Sequence, residues 1–122
     1  MTSCKEGSFK KEFSSEKRQL ESKRIMDKFK DRIPVIVEIS KKCNDIRDID
    51  KQKYLVPEEL SVGQFQYVIR KRIKLPQSKA MYMIFNNKLC TTSESIKKVY
   101  EKNKDTEDGF LYTVISTENT FG

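Results

Sequence analysis

The chain has 122 residues, 36% of them hydrophobic and 35% charged, which is enough for one packed core and too little for two. It has no run of about eighteen apolar residues of the kind a membrane-spanning helix needs. With 25 Lys and Arg against 18 Asp and Glu, the formal charge is +7 and the pI about 9.3. That balance favours an acidic partner such as nucleic acid, anionic lipid or acidic peptide, although both signs are interspersed as on an ordinary solvated surface.

Residues 1–7 read as loose, without the apolar stretch of a secretory signal. Ser8 to Phe13 predicts a short helix with Phe9 and Phe13 one turn apart. Ser14 or Ser15 then caps a second helix running to about Phe29, whose apolar positions Leu20, Ile25, Met26 and Phe29 form a narrow stripe. Such a helix is expected to lie on the surface of something else. Asp31-Arg32 turns the chain into a β-branched strand, Ile33 to Ile39, with Pro34 near its beginning or on an edge. Residues 40–52 are polar, with a turn signal at Asn44-Asp45.

The strand Lys53 to Pro57 and the helix Ser61 to Ile73 form the centre of the chain. Ser61 and Gln64 have capping-box spacing, and Leu60 and Phe65 the spacing of a hydrophobic staple. Val62, Phe65, Val68, Ile69 and Ile73 predict one apolar face, with Arg70, Lys71 and Arg72 mostly opposite. Leu75-Pro76 is expected to end the helix, because proline lacks an amide hydrogen. Met81 to Phe85 reads as a third strand turned by Asn86-Asn87, and Thr92 or Ser93 as the cap of a short helix containing Ile96, Val99 and Tyr100. After the tight turn at Asp108-Gly109 comes a last strand, Phe110 to Ile115, and a polar tail, Ser116 to Gly122. The element order α-α-β-β-α-β-α-β, with four strands, points to an α+β fold in which a mixed sheet wraps one long helix.

The usual apparatus of catalysis is absent. There is no histidine, no CxxC pair, no P-loop and no GxGxxG, and no pair of carboxylates stands out. Cys4, Cys43 and Cys90 are odd in number and far apart, which argues for reduced thiols in a cytosolic setting. Cys90 lacks a histidine to activate it. The basic residues are not interleaved with aromatics on one face, which argues against nucleic acid. No enzyme, metal or catalytic residue is therefore expected, and a binding module and a covalent modifier are left.

Several ordered segments resemble the autophagy-related protein 8 family of ubiquitin-like modifiers, which includes receptor-associated and microtubule-associated light-chain types. They are Tyr54-Leu55-Val56-Pro57, Val62-Gly63-Gln64-Phe65, Arg70-Lys71-Arg72, Asp108-Gly109-Phe110-Leu111-Tyr112 and Glu118-Asn119-Thr120-Phe121-Gly122. Glu16-Lys17-Arg18, Asp31-Arg32-Ile33-Pro34-Val35-Ile36 and Ile49-Asp50-Lys51 extend the match, which runs from about Phe9 to Gly122. The resemblance implies a ubiquitin-like β-grasp with two additional N-terminal helices. The division would be a helical extension at 1–30, a core at 31–116 and a conjugation tail at 117–122. It departs from the family pattern at Leu89-Cys90-Thr91-Thr92, where Leu-Pro-Pro-Thr is usual, at Ile115, where tyrosine is common, and in slightly longer loops at 40–52 and 104–108.

The function the resemblance implies is conjugation through Gly122 to phosphatidylethanolamine, with no other cofactor. Activating and conjugating enzymes would act on the tail, and a cysteine protease would release it. Glycine suits such an end, since no side chain crowds the reacting carbonyl. Phe121-Gly122, in place of a Gly-Gly end, leans against attachment to protein lysines. The lipidated form would sit on autophagosome membranes and reach the vacuole or lysosome, and the free form would be a cytoplasmic monomer.

The resemblance also implies capture of receptor peptides carrying an aromatic-x-x-aliphatic motif, if Lys53 to Pro57 lies at a sheet edge. The aromatic pocket would be Glu21, Ile25, Pro34, Ile36, Lys53, Leu55 and Phe110. The aliphatic pocket would be Tyr54, Val56, Pro57, Leu60, Phe65 and Val68, and Arg32, Lys53 and Arg72 would meet acidic flanks. An alternative, also known in the family, is tubulin or cytoskeletal binding through the basic N-terminal helices.

Overall fold

The computed structural model describes residues 4–46 and 49–117, so Gly122 and the tail before it lie outside the described residues. Two helices, α1 (Ser8–Glu12) and α2 (Ser15–Lys28), precede β1 (Arg32–Ile39) and β2 (Lys53–Pro57). Then follow α3 (Val62–Ile73), β3 (Tyr82–Phe85), β4 (Lys88–Leu89), α4 (Ile96–Asn103) and β5 (Leu111–Ser116). The strands form one mixed sheet in the order β2-β1-β5-β3-β4, with β1 and β5 parallel and the other pairs antiparallel.

One face of the sheet packs Val35, Val37, Ile39 and Phe85 against Val62, Phe65 and Ile69 of α3 and Ile96 and Val99 of α4. The other face carries a smaller cluster of Ile36 and Phe110 beneath Phe9 of α1 and Ile25 of α2. Alternation along β1 feeds both layers, so its buried run is β-branched rather than half polar. Pro34 sits inside this central strand, yet it lies opposite Leu55 and one residue before the β5 ladder begins at Val35, so its missing N–H breaks no ladder bond.

The helix starts follow local chemistry. Ser61 accepts from Gln64 N and Gln64 Oε1 accepts from Ser61 N, closing the capping box on α3. Four details differ from the sequence expectation. Asn86 and Asn87 adopt φ of 48° and 62°, and this turn folds the chain back into a fifth strand, β4, too short to show a pattern. The cap of α4 is Ser95, not Thr92 or Ser93. Before Pro76 is reached, α3 already ends at Lys74, which is left-handed at φ 55°. The packing face of α2 carries buried Arg18, Ser22 and Ile25, while Leu20 stands 70% exposed.

Arg18 explains that last difference. Its guanidinium reaches Asp108 Oδ2 at 2.5 Å and Glu107 Oε1 at 3.0 Å, and its Nε donates to the Phe13 carbonyl at 3.1 Å. Asp108 also accepts from the Tyr112 hydroxyl at 2.6 Å and the Phe110 N–H at 2.9 Å. Burial opposes the charge on Arg18, but its bonds to Asp108, Glu107 and Tyr112 outweigh burial and raise its pKa. Ser22 Oγ donates to the Asp108 carbonyl, beside Gly109 at φ +81°. A Cβ on Gly109 would stand 3.0 Å from Ser22 Oγ.

Glu38 holds the start of α1. It is 4% exposed and accepts from the Gly7 and Phe9 N–H groups at 3.2 and 3.0 Å. Burial nevertheless keeps its carboxyl above the ordinary range, the two N–H bonds only partly offsetting it.

Arg18→Ala should cost about 3–5 kcal/mol in urea denaturation, because Asp108 would be left charged and buried. Because the Glu38 pKa is raised on folding, its stabilising contribution is complete at acid pH and declines as pH rises through the folded pKa. The wild-type urea midpoint should therefore fall relative to Glu38→Gln as pH rises through and above the ordinary carboxylate range, and a pH-independent difference would refute this.

Candidate functional site

Among the described residues, the strand β2 pairs with β1 alone and forms one edge of the sheet. Val37 N donates to Gln52 O at 2.8 Å, which makes that pair hydrogen-bonded. Antiparallel pairs alternate, so Val35 with Tyr54 and Ile33 with Val56 are hydrogen-bonded too. Lys53 and Leu55, opposite Ile36 and Pro34, are the residues between. Their N–H and C=O groups therefore point away from β1, along the open edge. Part of that edge is already engaged, since Arg32 Nη1 donates to the Leu55 carbonyl at 3.4 Å.

Side chains of β2 alternate between the two faces. Tyr54 and Val56 point into the core beneath α3, where the Tyr54 ring meets Phe65 edge-on at 5.7 Å. The half-buried Leu55 packs on the α2 side against the cluster of Phe9, Ile25, Ile36 and Phe110. Of the expected aromatic pocket, Ile25, Pro34, Ile36 and Phe110 form a fully buried floor. Glu21 and Lys53 lie nearer solvent and pair at 2.7 Å. Lys53 and Arg24 together hold the Glu21 carboxyl below its ordinary range.

Of the expected aliphatic pocket, Tyr54, Val56 and Phe65 belong to the main core, Leu60 is half-buried, Pro57 is exposed and Val68 is 45% exposed. An apolar Val68 facing water beside a buried Phe65 is the outer rim of that side. Arg72 is clamped to Asp50 by two bonds of 2.8 and 3.1 Å, so an incoming acid would compete with Asp50 for it.

Other candidate chemistry recedes. Among the described residues, no group of acidic residues and cysteines is arranged to hold a metal ion. Burial, followed by the nearby Glu94, pushes the Cys90 thiol up, the opposite of an activated nucleophile. No helix among the described residues is long and apolar enough to cross a membrane.

A family model described as "Autophagy protein Atg8 ubiquitin like" matches residues 17–122. The chain belongs to the Atg8 family of ubiquitin-like autophagy proteins. It is 57% identical over 114 residues to autophagy-related protein 8 of Kluyveromyces lactis, covering 93% of this chain and 90% of the relative. It is 56% identical over 115 residues to autophagy-related protein 8B of Oryza sativa subsp. indica, covering 94% and 95%. The crystal structure of Trypanosoma brucei ATG8 superposes with a TM-score of 0.86 at 36% identity, covering 97% of this chain and all of that one. The fold is thus the ubiquitin-like Atg8 fold, as the sequence resemblance implied.

This Atg8-family chain also has a feature the sequence reading missed. A cavity of about 420 Å³ opens between α1, α2 and the Lys53 end of β2, lined by Phe9, Phe13, Lys17, Arg18, Leu20, Glu21, Arg24 and Lys53. The one-turn spacing of Phe9 and Phe13 was its main signal, since apart from Leu20 the remaining lining residues are charged and Lys53 comes from a distant strand.

The Tyr54 hydroxyl is buried without a hydrogen-bond partner among the described residues, and burial pushes its pKa up to about 12. Tyr54→Phe removes an unsatisfied group and should leave stability unchanged or raise it by about 1 kcal/mol in urea denaturation. A clear loss would show that this hydroxyl is satisfied in solution.

Proposed function

We propose that this Atg8-family protein is a non-enzymatic modifier joined through Gly122 to the amine of phosphatidylethanolamine, and that it then recruits receptors at the β2 edge. The open register at Lys53 and Leu55 is the observation that carries the recruitment half. An extended peptide laid there gains hydrogen bonds from Lys53 and Leu55 and buries side chains on both faces. An aromatic-x-x-aliphatic motif separates its anchors by three residues, which in a strand sends them to opposite faces. The aromatic faces Leu55 and the α2 side, and the aliphatic faces Val68 and the α3 side. The peptide then runs from Lys53 towards Pro57.

In the conjugation half, the Gly122 carboxyl is adenylated with release of pyrophosphate. The activating enzyme's cysteine thiol then displaces AMP to form a thioester, which passes by thiol exchange to the conjugating enzyme's cysteine. The lipid amine attacks the thioester carbonyl, an amide forms, and the thiolate leaves. The cysteine protease reverses this by hydrolysis, so the protein cycles between cytoplasm and autophagic membrane on its way to the vacuole or lysosome. Cytoskeletal binding is the weaker reading, because the N-terminal cations Lys10 and Arg18 are taken up by Asp105, Glu107 and Asp108.

Two anchors contribute about 1.5–3 kcal/mol each and strand hydrogen bonds about 0.5–1.5 kcal/mol each. After the cost of ordering the peptide, micromolar affinity is expected. A Trp-x-x-Leu peptide should bind Leu55→Ala about tenfold more weakly than wild type by calorimetry, and equal affinity would remove the edge site. Reconstitution with activating and conjugating enzymes on phosphatidylethanolamine liposomes should give a lipid adduct, seen by mass spectrometry and absent in Gly122→Ala.

A further inference from the structure

We propose that Thr117 and Asp45 are positioning residues for the conjugation tail, fixing the point and direction from which Gly122 is presented to the activating and conjugating enzymes. This rests on the conjugation reading and deepens it. The Thr117 hydroxyl donates to Asp45 Oδ2 at 2.8 Å, and its oxygen lies 3.6 Å from Cys43 Sγ. A threonine hydroxyl has a single hydrogen, so with that hydrogen given to Asp45 the Cys43 S–H is the donor in the second contact. Thr117 directly follows β5, and the chain bends there. Five residues then lead to Gly122. A five-residue chain spans at most about 16–18 Å, so the orientation of its root sets which volume the reacting carbonyl can reach.

The partner of Thr117 is itself held from several sides. Ser40 N donates to the Ile115 carbonyl at 2.9 Å and Cys43 N to the Ser40 carbonyl at 3.0 Å, which turns this loop over the end of β5. Lys5 Nζ donates to the Cys43 carbonyl at 3.1 Å. From the loop before β3, Lys79 Nζ pairs with Asp45 Oδ2 at 3.5 Å. On the sheet side, buried Ser116 lies opposite Tyr82 of β3. The Thr117 hydroxyl and then Lys79 hold the Asp45 carboxyl below its ordinary range, so it is a charged acceptor at neutral pH.

Folding stability does not account for this contact. The Lys79 and Asp45 side chains are 52% and 43% exposed. A hydroxyl and a carboxylate parted at such a surface are both hydrated, so their bond adds little to folding. Its consequence is for the direction of the chain. A tail whose root is already oriented has less freedom to lose when an enzyme draws its end to a cysteine. Without the hydroxyl, that ordering falls to every encounter.

The test measures initial rates of lipid-adduct formation on phosphatidylethanolamine liposomes, varying this protein against fixed activating and conjugating enzymes. In Thr117→Val and Asp45→Ala, KM should rise about fivefold while kcat stays within about twofold of wild type. Thr117→Ser keeps the hydroxyl and should match wild type. The double variant should be no worse than either single one, because both break the same bond. Urea midpoints should be unchanged. If Thr117→Val lowers the midpoint by disturbing Cys43, Asp45→Ala, whose side chain lies at the surface, decides alone. An unchanged KM, a Thr117→Ser variant as impaired as Thr117→Val, or variants faster than wild type each overturn the positioning role. No adduct from wild type overturns the Gly122 reading and the positioning role with it.

Discussion

The buried ion pair between Arg18 and Asp108 is the contact on which the two-faced architecture depends. A β-grasp sheet with a helix on one face leaves its other face apolar and open. Here Ile36 and Phe110 occupy that face, and α1 and α2 cover it. The sequence stripe on α2 is too narrow to hold the helix there by apolar burial alone. The helix is fixed instead by one cation buried against one anion, with the remaining oxygen valences of Asp108 filled by Tyr112 and Phe110. Such a pair adds little net stability over apolar contact, but it permits only one geometry, because any slip leaves a charge buried and unpaired.

That geometry in turn shapes the proposed binding edge. By fixing α2, the pair sets where Glu21, Arg24 and Ile25 stand relative to β2, and Glu21 then pairs with Lys53 at the strand's outer side. The same placement leaves Leu20 in water and opens the cavity beside Phe9 and Phe13. Glu38, binding the start of α1 through two N–H groups, fixes the opposite wall. The N-terminal helices are thus part of the proposed recognition edge, since without them the α2-side pocket would have a floor and no walls. The α3 side is different in kind. Tyr54, Val56 and Phe65 there are ordinary core, and only Val68, Pro57 and Leu60 remain to meet a ligand.

What was legible in the sequence was local. The capping box at Ser61 and Gln64 spans three residues and is found as read. The strand Lys53 to Pro57 carries its own alternation, and the Asp108-Gly109 turn needs only a residue tolerant of positive φ. What was not legible involved distant partners or very short elements. With two residues, β4 has no period, and its existence follows from the Asn86-Asn87 turn and a neighbour to pair with. Arg18 and Ser22 looked like solvent-facing polar residues because their partner, Asp108, is some ninety positions away. Leu20 looked like core because periodicity cannot see that a charged residue has taken the packing face.

The amino-acid sequence alone determined the helices and all the strands but β4, that one core is possible, and, through its ordered motifs, the family. Those features depend on hydrophobic period, capping and turn chemistry, all set within a few residues. The strand order was decided only in three dimensions, and with it the open register at Lys53 and Leu55, the clamping of Arg72 by Asp50, and the cavity between α1 and α2. Each of these is a relation between separate segments, most of them far apart in the chain. Its free energy comes from burying one surface against another, and no local pattern encodes which surfaces will meet.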